Sequence, residues 1–409
     1  MKLQNKLIKT DYCRVAGDEL IDVINLGELP ISDFPKPEDQ PLEKYPLILA
    51  LSKKSGLLQL RYTLPQDLLY RQYWYMSGIN QSMQNSLRDI VNQIRMRQKL
   101  NLGDVVVDIG ANDGCLLSNY TNVVRIAFEP ALNIETKNCD FLIKDYFSAN
   151  LYSKTTKAKA KVITSIAMFY DLPDPIKFAQ DVEIIMAKDG LWVIELSYLP
   201  FMLERNSFET AVHEHIEYYS LQSIEYILSK TNLVVEDIDT NNVNGGSFRL
   251  YVRHKDFATP TLSVERTRFY EKILQLNTER PYNEFMERIN QNKKELLDFI
   301  EQEKQKGKVI GGYSASTKGN TMMAYLGLDK SILPWVADRN PIKWGRETAT
   351  RIPIISEEEM HKLKPDYLLV FAYHFLNEMI DREKEFLLGG GKFIVPIPKL
   401  TIIDKDYIK

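Results

Sequence analysis

The chain is expected to fold as an α/β protein in three parts: a small β-rich N-terminal lobe, a central domain on a largely parallel sheet, and a smaller C-terminal α/β unit. Three features predict this. Between residues 69 and 254 buried strand runs such as "VVVDIG", "VVRIAFEP", "AKVITSIAMF" and "GLWVIEL" alternate with helical patterns, the signature of a doubly wound parallel sheet. Before them, "YPLILAL" and "GLLQLRYTL" flank the polar turn "SKKSG" and read as a hairpin. After them, "VIGGYSAS", "ILPWVAD", "DYLLVFAY" and "KFIVPIP" are four buried-strand runs separated by helical segments. The boundaries read as 1–68, 69–254, a polar helical connector over 255–306 with charges at i,i+4 spacing, and 307–409.

At 409 residues the chain exceeds one ordinary core. Lys and Arg number 52 against 55 Asp and Glu, a net charge of −3 with the signs interspersed. No basic field is available for a nucleic-acid backbone, so nucleic acid is not an expected partner. No apolar run is long enough to span a bilayer, and "MKLQNKLIKTDYC" lacks the apolar core of a signal peptide. No membrane association is expected. Three scattered cysteines, Cys13, Cys115 and Cys139, fit a reducing compartment. A cytoplasmic location follows as an expectation.

Within the lobe, "CRVAGDEL" and "LALSKKSGLLQL" read like a zinc ribbon with its ligands removed: the knuckle positions hold Cys13, Ala16, Ser52 and Ser55. A ribbon of this size without a metal must lean on its neighbour through apolar residues. Residues 69–100 begin aromatic and become an amphipathic helix over the following site, and "CLLSNY" reads as the start of the first crossover helix.

"VVVDIGANDGCLL" carries the strongest local signal. A buried strand runs into Asp108, and Gly110 and Gly114 permit a tight turn around Asn112 at the start of the next segment. The following strand ends in Glu129, an acid placed to accept from two ribose hydroxyls. G-x-x-x-G after an acid is not the G-x-G-x-x-G of a dinucleotide site, which argues against a nicotinamide oxidoreductase. It suits S-adenosylmethionine, a nucleoside with no pyrophosphate to cradle. In "KDYFSAN", Asp145 and Tyr146 are candidates for the adenine edge, with core packing as the competing reading.

"SFETAVHEHIEYYSL" places His213 and His215 on either side of Glu214, and these are two of only five histidines. The spacing is not H-E-x-x-H, and a metal pair here lacks a third ligand. Acid–base chemistry and a satisfied structural histidine both remain open on these residues. The turn through Asn244, Gly245 and Gly246 either serves the fold alone or offers donors to a substrate.

"CRVAGDELIDVINLGELPISDFP", "YWYMSG", "DIGANDGCLL", "FEPALNI", "TSIAMFYDLPDP", "HEHIEYYSL", "NGGSFRLYV", "GYSASTKGN", "DRNPIKWGR" and "KPDYLLVFAYHF" follow in order across nearly the whole chain. Together they resemble the sugar C-methyltransferases, which use S-adenosylmethionine to methylate carbon in nucleotide-linked keto-deoxysugars. The resemblance implies an N-terminal zinc lobe, a central Rossmann-like class I methyltransferase domain and a C-terminal Rossmann-like domain that helps hold the nucleotide sugar. It implies His215 as the base with Glu214 and His213 beside it, Tyr75 as donor to the enolate oxygen with Tyr73 as the alternative, and Ser314, Ser316, Lys318 and Arg339 at the nucleotide. This chain departs from the family at the metal, since of the four ligand positions only Cys13 is kept and residues 1–65 contain no histidine. No structural zinc is expected. Val212 stands where some relatives carry a tyrosine, and Ala349-Thr350 where they often carry Pro-Gly. A nucleotide-sugar partner and a monomer or homodimer are expected. Transfer to oxygen or another keto substrate on this scaffold, and a non-catalytic relative, are the alternatives.

Overall fold

The computed structural model describes residues 7–71, 76–79 and 81–408. Its centre is a seven-stranded sheet in the order Leu233–Asn241, Ser247–His254, Met186–Ser197, Ala160–Ile166, Val105–Ile109, Val124–Phe128, Phe141–Ile143. Only Ser247–His254 runs antiparallel to its neighbours. Val105–Ile109 is buried along its whole length, as a strand covered on both faces must be. One face packs on Phe178 and Val182 of helix Pro175–Ile185 and on Ile224 and Ile227 of helix Leu221–Leu228. The other receives Leu87, Ile90, Val91 and Ile94 of helix Gln81–Arg97.

The doubly wound α/β fold is thus the one the alternation predicted, with two local differences. The region 69–100 divides into a short helix Gln66–Tyr70 and the longer Gln81–Arg97. The crossover expected at "CLLSNY" is only the turn Leu117–Asn119. Helix Gln81–Arg97 already covers that face, and Leu116 and Leu117 simply pack into the same cluster.

The lobe forms an antiparallel sheet whose order is Glu217–Tyr218, Leu58–Leu60, Lys44–Leu51, Ile21–Pro30. Its edge strand therefore comes from the central domain, two residues beyond His215. The four ribbon positions converge without a metal. Ser52 donates to Asp18 at 2.7 Å, Ser55 donates to Ser52 at 2.8 Å, and Cys13 Sγ lies 3.4 Å from Ser55 Oγ. The Ala16 amide points at Cys13 Sγ (3.4 Å) and the Ser55 amide at Ser52 Oγ (3.0 Å), so both turns aim the amide of the second position at the side chain of the first. One sulfur and two hydroxyls do not fit a tetrahedral thiolate site. Among the described residues no group of three or more His, Cys, Asp or Glu is placed to hold a metal.

The C-terminal unit is a six-stranded sheet ordered Ile354–Ile355, Val336–Ala337, Ile310–Tyr313, Tyr367–Val370, Lys392–Val395, Thr401–Ile403, parallel except at the last pair. The lobe leans chiefly on this unit. Leu26, Leu49 and Phe34 share one core with Met322 and Met323 and with Phe285 and Ile289 of helix Arg280–Gln305. Polar contacts pin the same seam: Asn320 donates to Ser32 Oγ and to the Asp33 carbonyl, and Arg346 donates to the Phe34 carbonyl. No helix among the described residues is long and apolar enough to cross a membrane.

Candidate active site

A cleft of about 950 Å³ opens beyond the C-terminal ends of the central strands, where open α/β sheets bind their ligands. Three parts of the chain supply its walls: the turn after Val105–Ile109, the segment carrying Glu214 and His215, and the start of helix Thr317–Leu326.

In the first wall, Asp108 accepts from Thr164 Oγ1 at 2.6 Å. Burial pushes its carboxyl up to about 7, with Thr164 opposing and Glu129 adding to the rise. Glu129 receives the Asn112 amide on one oxygen and the Ala131 amide on the other, both at 2.7 Å. Burial raises this group too, against those two bonds. The Gly110 and Ala111 amides donate to the Phe128 carbonyl at 2.9 and 3.0 Å. These three amides are taken up by the Phe128 carbonyl and the Glu129 carboxylate, so none of them is left to cradle a pyrophosphate. Gly110 (φ +75) and Asn112 (φ 51) adopt the left-handed conformation the turn demands. Gly114 does not line the cleft; a Cβ there would lie 1.8 Å from the Lys137 carbonyl oxygen. Asp145 and Tyr146 lie on the rim, where Tyr146 donates to Asp67 at 3.2 Å and Arg71 covers its ring.

In the second wall, His215 Nδ1 lies 3.2 Å from the Thr210 carbonyl and its ring packs on Tyr170 at 4.1 Å. A carbonyl can only accept, so Nδ1 carries the proton and Nε2 keeps its lone pair. Burial, then the charge of Lys318, lowers the imidazole to about 3. Glu214 is pushed up to about 7 by burial, and its Oε2 makes no hydrogen bond among the described residues. His213 faces away. It sits under the lobe with Nε2 3.3 Å from the Tyr45 carbonyl, and burial lowers it to about 4. Residues two apart in an extended strand share a face, so it is the bend at His213 and Glu214 that sends one histidine to the lobe and the other to the cleft.

The third wall contributes Ser316 and Lys318. Ser316 caps helix Thr317–Leu326 by accepting from the Gly319 amide at 2.9 Å. Lys318 is half-buried, and its desolvation lowers the ammonium, with Glu209 opposing. Ser314 and Arg339 are not among the cleft-lining residues; Ser314 instead donates its amide to the Ala337 carbonyl at 2.7 Å, and Arg339 is exposed. Tyr73, Tyr75 and the side chain of Asn244 lie outside the described residues.

Two groups of cleft residues escaped the sequence reading. Asp171 is raised well above its usual range by burial, with a hydrogen bond to the Tyr70 side chain opposing, and stands near Glu214 and Glu217. His374 reaches the cleft from the C-terminal unit, 3.4 Å from Glu209. Both lie just past the C-terminal ends of parallel strands, Ala160–Ile166 and Tyr367–Val370. That position was the available signal.

Comparison with known proteins adds the family. Residues 79–238 match the methyltransferase domain model and residues 242–398 match the C-methyltransferase C-terminal domain model. The chain is 30% identical over 423 residues to C-methyltransferase NovU of Streptomyces niveus, covering 99% of each. Among solved structures, an S-adenosylmethionine-dependent methyltransferase from Clostridium acetobutylicum overlaps 42% of this chain and 91% of its own at a TM-score of 0.31 and 11% identity. The plantazolicin methyltransferase BpumL, solved with SAH, overlaps 41% and 82% at a TM-score of 0.31 and 12% identity.

Proposed function

Since the chain belongs to the S-adenosylmethionine-dependent C-methyltransferase family, we propose that it methylates a ring carbon next to the ketone of a nucleotide-linked keto-deoxysugar. The observation that carries this reading is the shared cleft, which joins the Asp108–Glu129 turn, His215 and Lys318 in one cavity.

S-adenosylmethionine supplies the methyl group as an electrophile on a positively charged sulfur. Glu129 and Asp108 hold its nucleoside end. Hydrogen on carbon next to a ketone is acidic only while the resulting enolate is stabilised, so base and stabiliser must act together. His215 takes that proton on Nε2, while its Nδ1–H stays on the Thr210 carbonyl and keeps the ring in place. The enolate carbon would receive the methyl group that S-adenosylmethionine supplies, and His215 would then pass the proton it holds to solvent. Low basicity in the free protein keeps His215 unprotonated and ready; the developing enolate beside it raises its proton affinity at the moment of transfer. Lys318, lining the same cleft, would meet the charge of the nucleotide.

The test is a His215→Asn variant assayed with a panel of keto-sugar nucleotides, with binding of S-adenosylhomocysteine measured in parallel. Loss of product with cofactor binding intact is expected. Undiminished turnover would remove His215 as the base, and an O-linked methyl in the product NMR would replace carbon by oxygen as the acceptor.

A further inference from the structure

We propose that His374, supplied by the C-terminal unit, is a second histidine of the active site and binds the diphosphate of the substrate as an imidazolium beside Lys318. This rests on the nucleotide-sugar reading and names the residue that senses the substrate's charge.

His374 lines the same cleft as His215 and Lys318. It is held from behind. Nε2 lies 3.4 Å from Glu209 Oε1, and that oxygen accepts from Tyr373 OH at 2.7 Å. Glu209 is wholly buried, yet neither its Oε2 nor His374 Nε2 makes a hydrogen bond among the described residues. A neutral imidazole has a single N–H, and turned from Nε2 toward Glu209 it leaves Nδ1 with a lone pair that cannot meet an anion. Protonation supplies the second donor: Nε2–H stays with Glu209 and Nδ1–H is left for an anionic ligand.

The backbone behind the ring is built for it. Gly245 (φ +94) lies so close that a Cβ would come within 2.6 Å of His374 Cε1, and Arg205 donates to the Gly245 carbonyl at 2.8 Å. Steric fit to His374 therefore explains a glycine of the "NNVNGG" turn. The charged groups facing the imidazole are Glu209, Lys318 and Arg205, with the Tyr373 hydroxyl between them. Two fixed cations against one carboxylate leave this corner positive when empty. Burial and Lys318 accordingly hold the imidazole below its ordinary value, with Glu209 opposing. An anion set at the start of helix Thr317–Leu326, beside Lys318, reverses that balance and draws a proton onto His374.

The experiment is calorimetric titration of the full chain with UDP-, TDP-, GDP- and CDP-glucose, whose diphosphates have no group titrating near neutral pH. Each titration is run in two buffers of different protonation enthalpy, on wild type, His374→Gln and Glu209→Gln, with S-adenosylhomocysteine as the parallel measure of an intact fold. Wild type is expected to take up a proton on binding at least one nucleotide sugar. His374→Gln should lose that uptake and bind about tenfold more weakly or worse, and Glu209→Gln should lose the uptake, with S-adenosylhomocysteine affinity unchanged in both. Retained affinity and uptake in His374→Gln overturn the inference and leave the nucleotide-sugar reading standing, and retained uptake in Glu209→Gln overturns the dyad. If His374→Gln also loses S-adenosylhomocysteine, Glu209→Gln decides. Wild type that binds S-adenosylhomocysteine but none of the four sugars removes the nucleotide-sugar reading, and this inference with it.

Discussion

His215 differs from a free histidine through its carbonyl partner and its burial. The Thr210 carbonyl selects the tautomer and burial holds the ring neutral, down to about 3. A free histidine half-loses its base form near 6.5. For this enzyme kcat/KM is expected to show no acid limb at that value from His215; a limb there that disappears in no other variant would mean the imidazole is charged in the working enzyme. The neighbouring Glu214, raised to about 7, is the group expected to titrate in the neutral range, and a pH profile of Glu214→Gln separates the two. His213, identical in type and two positions away, faces the lobe and is not among the residues lining the cleft.

At the scale of elements, the ribbon turns keep the geometry of a metal knuckle while hydrogen bonds take over its closure. The second amide of each turn points at the first side chain, and Asp18 ends the hydroxyl chain. Breaking that chain with Ser52→Ala leaves the buried Ser55 amide and hydroxyl without their acceptor and is expected to lower stability by about 1–3 kcal/mol. The complementary change restores thiols: Ala16→Cys, Ser52→Cys and Ser55→Cys together with Cys13 are expected to bind one zinc ion per chain, read by metal analysis after dialysis, with a Tm that falls on adding a chelator. A triple variant that folds but takes no zinc would show that the turns are set too far apart for tetrahedral ligation. The motif spacing was readable along the chain; its closure by Asp18 was not, because that acid lies outside the knuckle pattern and reaches Ser52 only through the hairpin.

Across the whole molecule, the lobe and the active segment are one structure. Glu217–Tyr218 is both the edge strand of the lobe's sheet and the continuation of the segment bearing His215. The Leu60 amide donates to the Ile216 carbonyl at 2.9 Å, fixing that segment from the lobe side. Glu217 is buried there as a largely neutral acid, pushed up to about 8 by burial, with Arg14 and the Tyr219 hydroxyl opposing. The unfolded carboxyl loses its proton near 4.5 while the folded one keeps it to about 8. Between those values the folded state holds more protons, so this group's contribution is full below the lower value and is lost as pH rises through the upper one. Wild-type unfolding free energy should therefore fall between pH 5 and 8 by more than that of Glu217→Gln, a difference on the order of a few kcal/mol across the window. Parallel curves would mean Glu217 is charged in the folded protein.

Periodicity and the order of motifs by themselves determined the α/β class and the family, and the Asp108–Gly114 turn pointed to a nucleoside site, because each depends on residues close in sequence whose spacing is set by strand and helix geometry. Only the tertiary structure decided that His213 and His215 part company, that Gly114 serves Lys137 and not the cleft, and that Glu209 and His374, 165 residues apart in "SFETAVHEHIEYYSL" and "KPDYLLVFAYHF", meet at 3.4 Å. Burial and long-range pairing set those outcomes, and neither is a property of a local stretch of chain.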